Sequence, residues 1–276
     1  MKNLFLSIFV LFAFSSCSKK LISSGTSFKE AQVNLTTHKL TAYSIIRNTK
    51  YLVVFETGLG DNHTIWNENN IVTQISSKSD VLLYDRAGNG KSEKGPAPRN
   101  IERLSSELDS VISNFANGRK VILVGHSLGG MVIRDYAIKN PSKIAGLLFI
   151  DPSHENYNRP TQNQENLITL LVGIKSKGAK MEAQELMEDA DYMATTSNLP
   201  NIPVIVLTSM KQDETNTKAD KSYNKTRQDW YNAHDLLKSG VTDFIHISTI
   251  KSGHYIFLEE PNLVLDNLNL LISKLP

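Results

Sequence analysis

The chain has 276 residues, 40% hydrophobic and 21% charged, with no repeat or low-complexity run. That is ordinary globular composition, long enough for one α/β domain with a sizeable core. Its 30 Lys and Arg and 28 Asp and Glu are interspersed, so the charge pattern gives no reason to expect nucleic acid or another highly charged partner.

The first residues stand apart from the fold. Lys2 precedes an apolar run from Leu4 to Phe14, and Ser15-Ser16-Cys17 follows. A run of 11 residues is too short for a permanent bilayer span but suits a signal-peptide core. Cys17 is the only cysteine, so it has no intramolecular disulfide partner. Its place resembles a bacterial lipoprotein lipobox, although Phe14 is bulky for that motif. The resemblance implies a signal peptide over 1–16, lipidation of Cys17, a tether over 17–28, and an exported protein held at a membrane face. An ordinary secreted protein and an uncleaved anchor are the alternatives.

Residues 31–37 and 40–47 alternate apolar and polar, which predicts an antiparallel pair at a sheet edge. Tyr51 to Phe55 reads as a buried strand, ending in the glycine-rich turn Thr57-Gly58-Leu59-Gly60. A helix is expected over Trp66 to Ile75 and a buried strand over Val81 to Tyr84. Residues 99–116 place Ile101, Leu104, Leu108, Val111, Ile112 and Phe115 on one helical face.

Lys120 to Val124 reads as another buried strand. Gly125-His126-Ser127-Leu128-Gly129 follows, and then apolar residues at helical spacing up to Pro141. A G-x-S-x-G between strand and helix has the form of a nucleophile elbow. The glycines remove side chains that would collide in so sharp a turn. The Leu128 amide, at the helix N-terminus, points where an oxyanion would form. The competing reading is a Gly-Ser turn with Ser127 as a plain helix cap.

Ile144 to Ile150 is a further strand, ending at Asp151. Residues 152–202 hold polar loops and helical stripes: Leu167, Leu170, Leu171 and Ile174, then Met181, Leu186, Met187 and Ala190. Pro203 to Leu207 resumes the alternation. One long helix over 219–238, a strand over Phe244 to Ile250 and a helix over 261–274 complete it. Strands alternating with helices predict a mostly parallel sheet of eight-stranded type, helices on both faces. Ligands then sit beyond the strands' carboxyl ends.

Four motifs together resemble the α/β-hydrolase family, over roughly residues 30–276. They are the elbow at Ser127, Asp85-Arg86-Ala87-Gly88-Asn89-Gly90-Lys91-Ser92, the loop Ser252-Gly253-His254-Tyr255, and the turn Thr57-Gly58-Leu59-Gly60. The resemblance implies an α/β-hydrolase domain over 29–276 with a small helical lid at about 152–202. It implies Ser127 as nucleophile, His254 as base, and the amides of Leu59 and Leu128 as the oxyanion hole. The family's oxyanion loop begins His-Gly, whereas here it begins Thr57-Gly58. The acid is Asp151 or Asp213; the blurred turn before Asp213 favours Asp151. His126 reads as packing, because chain neighbours point apart.

The reaction so implied is acyl transfer from a small ester or amide, with no metal or organic cofactor. A serine aminopeptidase of the proline-iminopeptidase type is the alternative. It needs an acidic clamp, and Glu182, Glu185, Glu188, Asp189 and Asp191 fit a solvated helix face better. Trp230 and Tyr231 read as core. From a different class, a non-catalytic surface binding module on the same scaffold remains open.

Overall fold

Eight strands form one sheet in the order β1-β2-β4-β3-β5-β6-β7-β8. They are β1 (Lys29–Asn34), β2 (Lys39–Ile45), β3 (Leu52–Glu56), β4 (Asp80–Tyr84), β5 (Val121–His126), β6 (Ile144–Ile150), β7 (Val204–Ser209) and β8 (Phe244–Thr249). The structure is a computed structural model and describes residues 28–276. The expected signal segment, Cys17 and the tether up to residue 27 lie outside the described residues.

The hairpin β1–β2 is antiparallel and joins the sheet antiparallel to β4; every later pairing is parallel. The central strands are buried along their whole length. Their side chains alternate between two cores. Leu52, Val54, Val121 and Leu123 enter one, while Val53, Phe55, Ile122 and Val124 enter the other. Helices cover both faces because both are apolar. Helices α2 (Ile101–Phe115) and α3 (Leu128–Lys139) pack on the first core; α1 (Ile71–Ile75) and α11 (Pro261–Ser273) pack on the second. Each Val, Leu or Ile removed fully from water contributes about 1.5–3 kcal/mol.

Two helices differ from their sequence reading. Residues 66–75 are not one helix: a 3-10 turn at His63–Asn67 precedes α1, and Asn70 between them is left-handed, with φ of 58°. The long helix expected over 219–238 is two, α8 (Glu214–Tyr223) and α9 (Arg227–Asp235). Asn224 ends α8 in the left-handed conformation, and Thr226 with Asp229 starts α9 with a capping box. The last strand stops at Thr249, leaving Ile250 76% exposed.

Between β6 and β7 the chain forms four helices: α4 (Glu155–Asn158), α5 (Gln162–Val172), α6 (Lys177–Ala183) and α7 (Leu186–Met193). A short α10 (Ile256–Glu259) precedes α11. Gly88 lets the loop after β4 touch α6, where the Gly178 amide bonds the Gly88 carbonyl at 3.1 Å. The acidic residues of this region do not share one solvated face, contrary to expectation. Glu182 and Asp189 are buried. Each turns inward because it meets a partner: Arg86 for Glu182, and the Ile101 amide that opens α2 for Asp189.

Asp189 is bonded through one oxygen only; its Oδ2 is buried without a partner. Burial pushes its carboxyl up from 3.8 to about 8, the nearby Glu185 and Glu182 adding to the rise against the Ile101 bond. The folded chain therefore holds a proton here that the unfolded chain releases near pH 4. Stability from this group is full at low pH and declines as pH rises toward 8. Calorimetry of Asp189→Asn should show a higher Tm than the parent at pH 8.5 and little difference at pH 4. An equal offset at both would contradict the assignment.

Candidate active site

The carboxyl ends of the parallel strands deliver one residue after another to a single rim. Ser127 lies between β5 and α3 with φ of 52° and ψ of −125°. A non-glycine residue there is strained, by an amount on the order of 1–3 kcal/mol. The neighbouring backbone explains why glycine must flank it. A Cβ on Gly129 would stand 2.5 Å from the Thr57 carbonyl oxygen, and one on Gly125 would stand 2.7 Å from Ile133 Cδ1. The Ser127 carbonyl accepts from the amides of Gly130 and Ser153, both at 2.9 Å, which fixes the turn.

Asp151 follows β6 with φ of 44° and is buried. Its Oδ2 accepts from His254 Nδ1 at 2.7 Å. Its Oδ1 accepts from the Ser209 amide at 2.9 Å and from the Trp230 indole N–H at 2.7 Å. Burial raises its affinity for a proton, but the bond to His254, the imidazole charge and the Ser209 amide outweigh this and hold the carboxyl below its ordinary value. Asp213 lies beside the His254 loop, its Oδ2 3.6 Å from where a Cβ on Gly253 would stand, but it is Asp151 that His254 bonds. Asp213 caps α8, accepting from the Asn216 amide at 2.8 Å, with Lys211 Nζ 3.8 Å away.

The described residues supply no hydrogen bond to the Ser127 hydroxyl, yet Ser127 and His254 line one cavity of about 140 Å³. Leu59 and Leu128 line it too. Among the described residues neither the Leu59 nor the Leu128 amide has a protein acceptor. Two amides left free beside a serine and a histidine form a site able to receive an oxyanion.

His126, read as packing, is buried, and its Nε2 donates to the His254 carbonyl at 3.0 Å. Burial, with the His254 imidazole beside it, holds its pKa well below the ordinary value. It stays neutral and steadies the His254 loop.

The turn at Thr57–Gly60 is held by Arg86, whose importance the sequence did not reveal. Arg86 Nη1 donates to the Thr57 carbonyl at 2.7 Å and Nη2 to the Gly58 carbonyl at 2.8 Å. The same guanidinium pairs with Glu56 at 2.6 Å and Glu182 at 2.8 Å, and all three side chains are buried. Tyr84 also bonds Glu56. The loop thus has an anchor without the family's histidine. Asp85, the first residue of the same motif, serves structure: its Oδ1 accepts from the His63 amide and its Oδ2 from the Lys91 amide, both at 2.9 Å.

Trp230 is buried, as its sequence context suggests, and its indole also holds Asp151. Tyr231 stacks on His246, with ring centroids 4.0 Å apart. The rest of the cavity is largely apolar, with Ile168, Leu171, Val172 and Leu186 from the helical insertion. Of the five acids considered as a clamp, none lines it. Asp61 does; burial raises its pKa, and Lys175 lies 3.7 Å from it.

Comparison with known proteins agrees with this fold. The family model described as the alpha/beta hydrolase fold matches residues 51–174. YqjL of Bacillus subtilis is 26% identical over 226 residues, 77% of this chain and 79% of YqjL. The human (lyso)-N-acylphosphatidylethanolamine lipase is 28% identical over 109 residues, 38% of this chain but only 31% of the lipase. Among solved structures, a thermophilic esterase from Thermogutta terrifontis superposes with a TM-score of 0.65 at 16% identity, over 89% of this chain and 98% of that one. A mutant of a putative epoxide hydrolase from Pseudomonas aeruginosa gives 0.67 at 14%, over 89% and 96%. The chain has the α/β-hydrolase fold.

Proposed function

We propose that the chain is a serine hydrolase that cleaves a small carboxylic ester through an acyl-enzyme. One observation carries this reading. Ser127, the Asp151-bonded His254 and the free amides of Leu59 and Leu128 all meet at one cavity. The similarity to hydrolases that act on small molecules supports it at the level of hydrolysis.

The chemistry follows from the partners. Asp151 stays ionised and accepts Nδ1–H, which leaves Nε2 of His254 unprotonated and basic. Ser127 Oγ attacks the carbonyl carbon as Nε2 takes its proton. The carbonyl oxygen becomes an oxyanion facing the two amides. The imidazolium returns the proton to the leaving alkoxide, and the C–O bond breaks. Water, giving a proton to the same nitrogen, then attacks the acyl-serine; the bond from Oγ to the acyl carbon breaks, Oγ takes the proton back from the imidazolium, and the acid leaves. Catalytic hydrogen bonds often tighten only when substrate is bound, in keeping with the unpartnered Ser127 hydroxyl.

Ester is favoured over an N-terminal proline amide because the five acids of the helical insertion are turned inward to other partners or lie off the cavity, and Asp61, which does line it, already faces Lys175 and the Tyr255 hydroxyl. A panel of short acyl esters beside proline-β-naphthylamide tests this. Turnover of the esters alone is expected; turnover of the amide alone would sink the ester reading. For location, we propose lipidation at Cys17 and membrane tethering of the domain from about residue 29. Labelled palmitate should enter the full chain but not Cys17→Ala; equal labelling of both would refute it.

A further inference from the structure

The proposed chemistry leaves one wall of the cavity unused. Arg227, the first residue of α9, is 5% exposed and lines that wall beside Tyr157, Tyr223 and Trp230. A guanidinium offers five N–H groups, and covering one without an acceptor is unfavourable. Here two of its three nitrogens are satisfied. Nε donates to both oxygens of Asp220, at 2.8 and 2.9 Å, and Nη2 donates to Asp220 and to the Tyr157 hydroxyl. Its carbon lies 5.4 Å from the centre of the Tyr157 ring and 5.6 Å from that of Trp230. Nη1 has no protein acceptor among the described residues, and it is not among the polar atoms sealed off from solvent.

The Trp230 ring that Arg227 covers also holds Asp151 through its N–H. Arg227 therefore stands about one indole away from the Asp151–His254 pair. That is where a side arm of the substrate would lie, not the carbonyl under attack. Asp220 balances the guanidinium charge, so the free N–H groups suit a neutral carbonyl as well as a carboxylate.

We infer that the substrate carries an acceptor oxygen, carbonyl or carboxylate, on the arm that reaches this wall, and that Arg227 Nη1 binds it. This rests on the serine hydrolase reading and names a substrate class for that site. A purely alkyl arm would cover Nη1 without an acceptor and bind about ten- to a hundredfold more weakly.

The test compares matched pairs: monomethyl adipate and methyl 5-oxohexanoate against methyl hexanoate, and 4-acetoxybutanoate against butyl acetate. The first set places the oxygen on the acyl arm, as carboxylate or ketone, and the second on the alcohol arm. Turnover is measured on the full chain and binding by calorimetry on Ser127→Ala. The paired variant Arg227→Met with Asp220→Asn removes the guanidinium without stranding a buried carboxylate. It also keeps an acceptor for Tyr157. In at least one pair the oxygen-bearing ester should be preferred about tenfold or more, through KM and through binding. The double variant should lose that preference. Equal binding within every pair, or a preference unchanged in the double variant, would overturn the inference. If binding shows the Arg227-dependent preference and no ester is turned over, the oxygen site stands and the hydrolase reading falls.

Discussion

Replacing Asp151 by asparagine lowers kcat for a short ester by about 10⁴-fold, while Asp213→Asn leaves it within about twofold. The difference follows from what each carboxylate touches. Asp151 accepts Nδ1–H of His254 at 2.7 Å in a buried setting. An asparagine amide can present N–H there, which turns the imidazole to the wrong tautomer and removes the charge that stabilises the imidazolium. Asp213 caps α8, a role asparagine fills nearly as well. The chain should therefore remain folded in both variants, and only one should lose activity. Trp230→Phe removes one of two donors to Asp151 Oδ1 and keeps the charge. It should fall between the two, with a loss of about tenfold in kcat. Steady-state kinetics decide the order; a dead Asp213→Asn beside an active Asp151→Asn would reverse the assignment.

Removing Arg86 has the largest expected effect on stability. Arg86→Met leaves Glu56 and Glu182 buried without their shared cation. Breaking a buried pair in this way costs about 3–5 kcal/mol, a fall of roughly 5–10 °C in Tm for a chain this long. Burial already raises the Glu56 pKa, against the pull of Arg86 and the Tyr84 bond. Without Arg86 that opposing pull is lost, and its carboxyl should hold a proton to still higher pH. Glu182→Gln is the milder companion. It keeps a side chain able to accept from Arg86 and leaves the bonds to the Thr57 and Gly58 carbonyls. It should fold, bind ester with a nearly unchanged KM, and lose less kcat than Arg86→Met. An Arg86→Met protein with parental Tm and kcat would mean that the turn carrying Leu59 is held by something else.

The sheet was legible because its strands are short apolar runs, and their mostly parallel sense followed from alternation with helices; the strand order, with β4 between β2 and β3, did not. The elbow was legible because sterics demand glycine on both sides of Ser127. Partner choice was not. Glu182 looks like any acid on a polar helix, and its burial depends on Arg86, 96 positions earlier. Trp230 has a core residue's spacing, and nothing local shows that its N–H faces Asp151. The breaks at Asn70 and Asn224 were missed because a left-handed asparagine interrupts a helix without a glycine or proline to mark it. His254 stood out only as a histidine beside glycine after a strand; its bond to Asp151 spans 103 positions.

The proposed reaction requires that the hydroxyl of Ser127 be made unusually reactive by its neighbours. Mass spectrometry of the full chain after exposure to a fluorophosphonate reads this directly. One adduct per chain, on Ser127 and absent from His254→Ala, is the predicted result. No adduct on the folded protein, or equal labelling without His254, would contradict it.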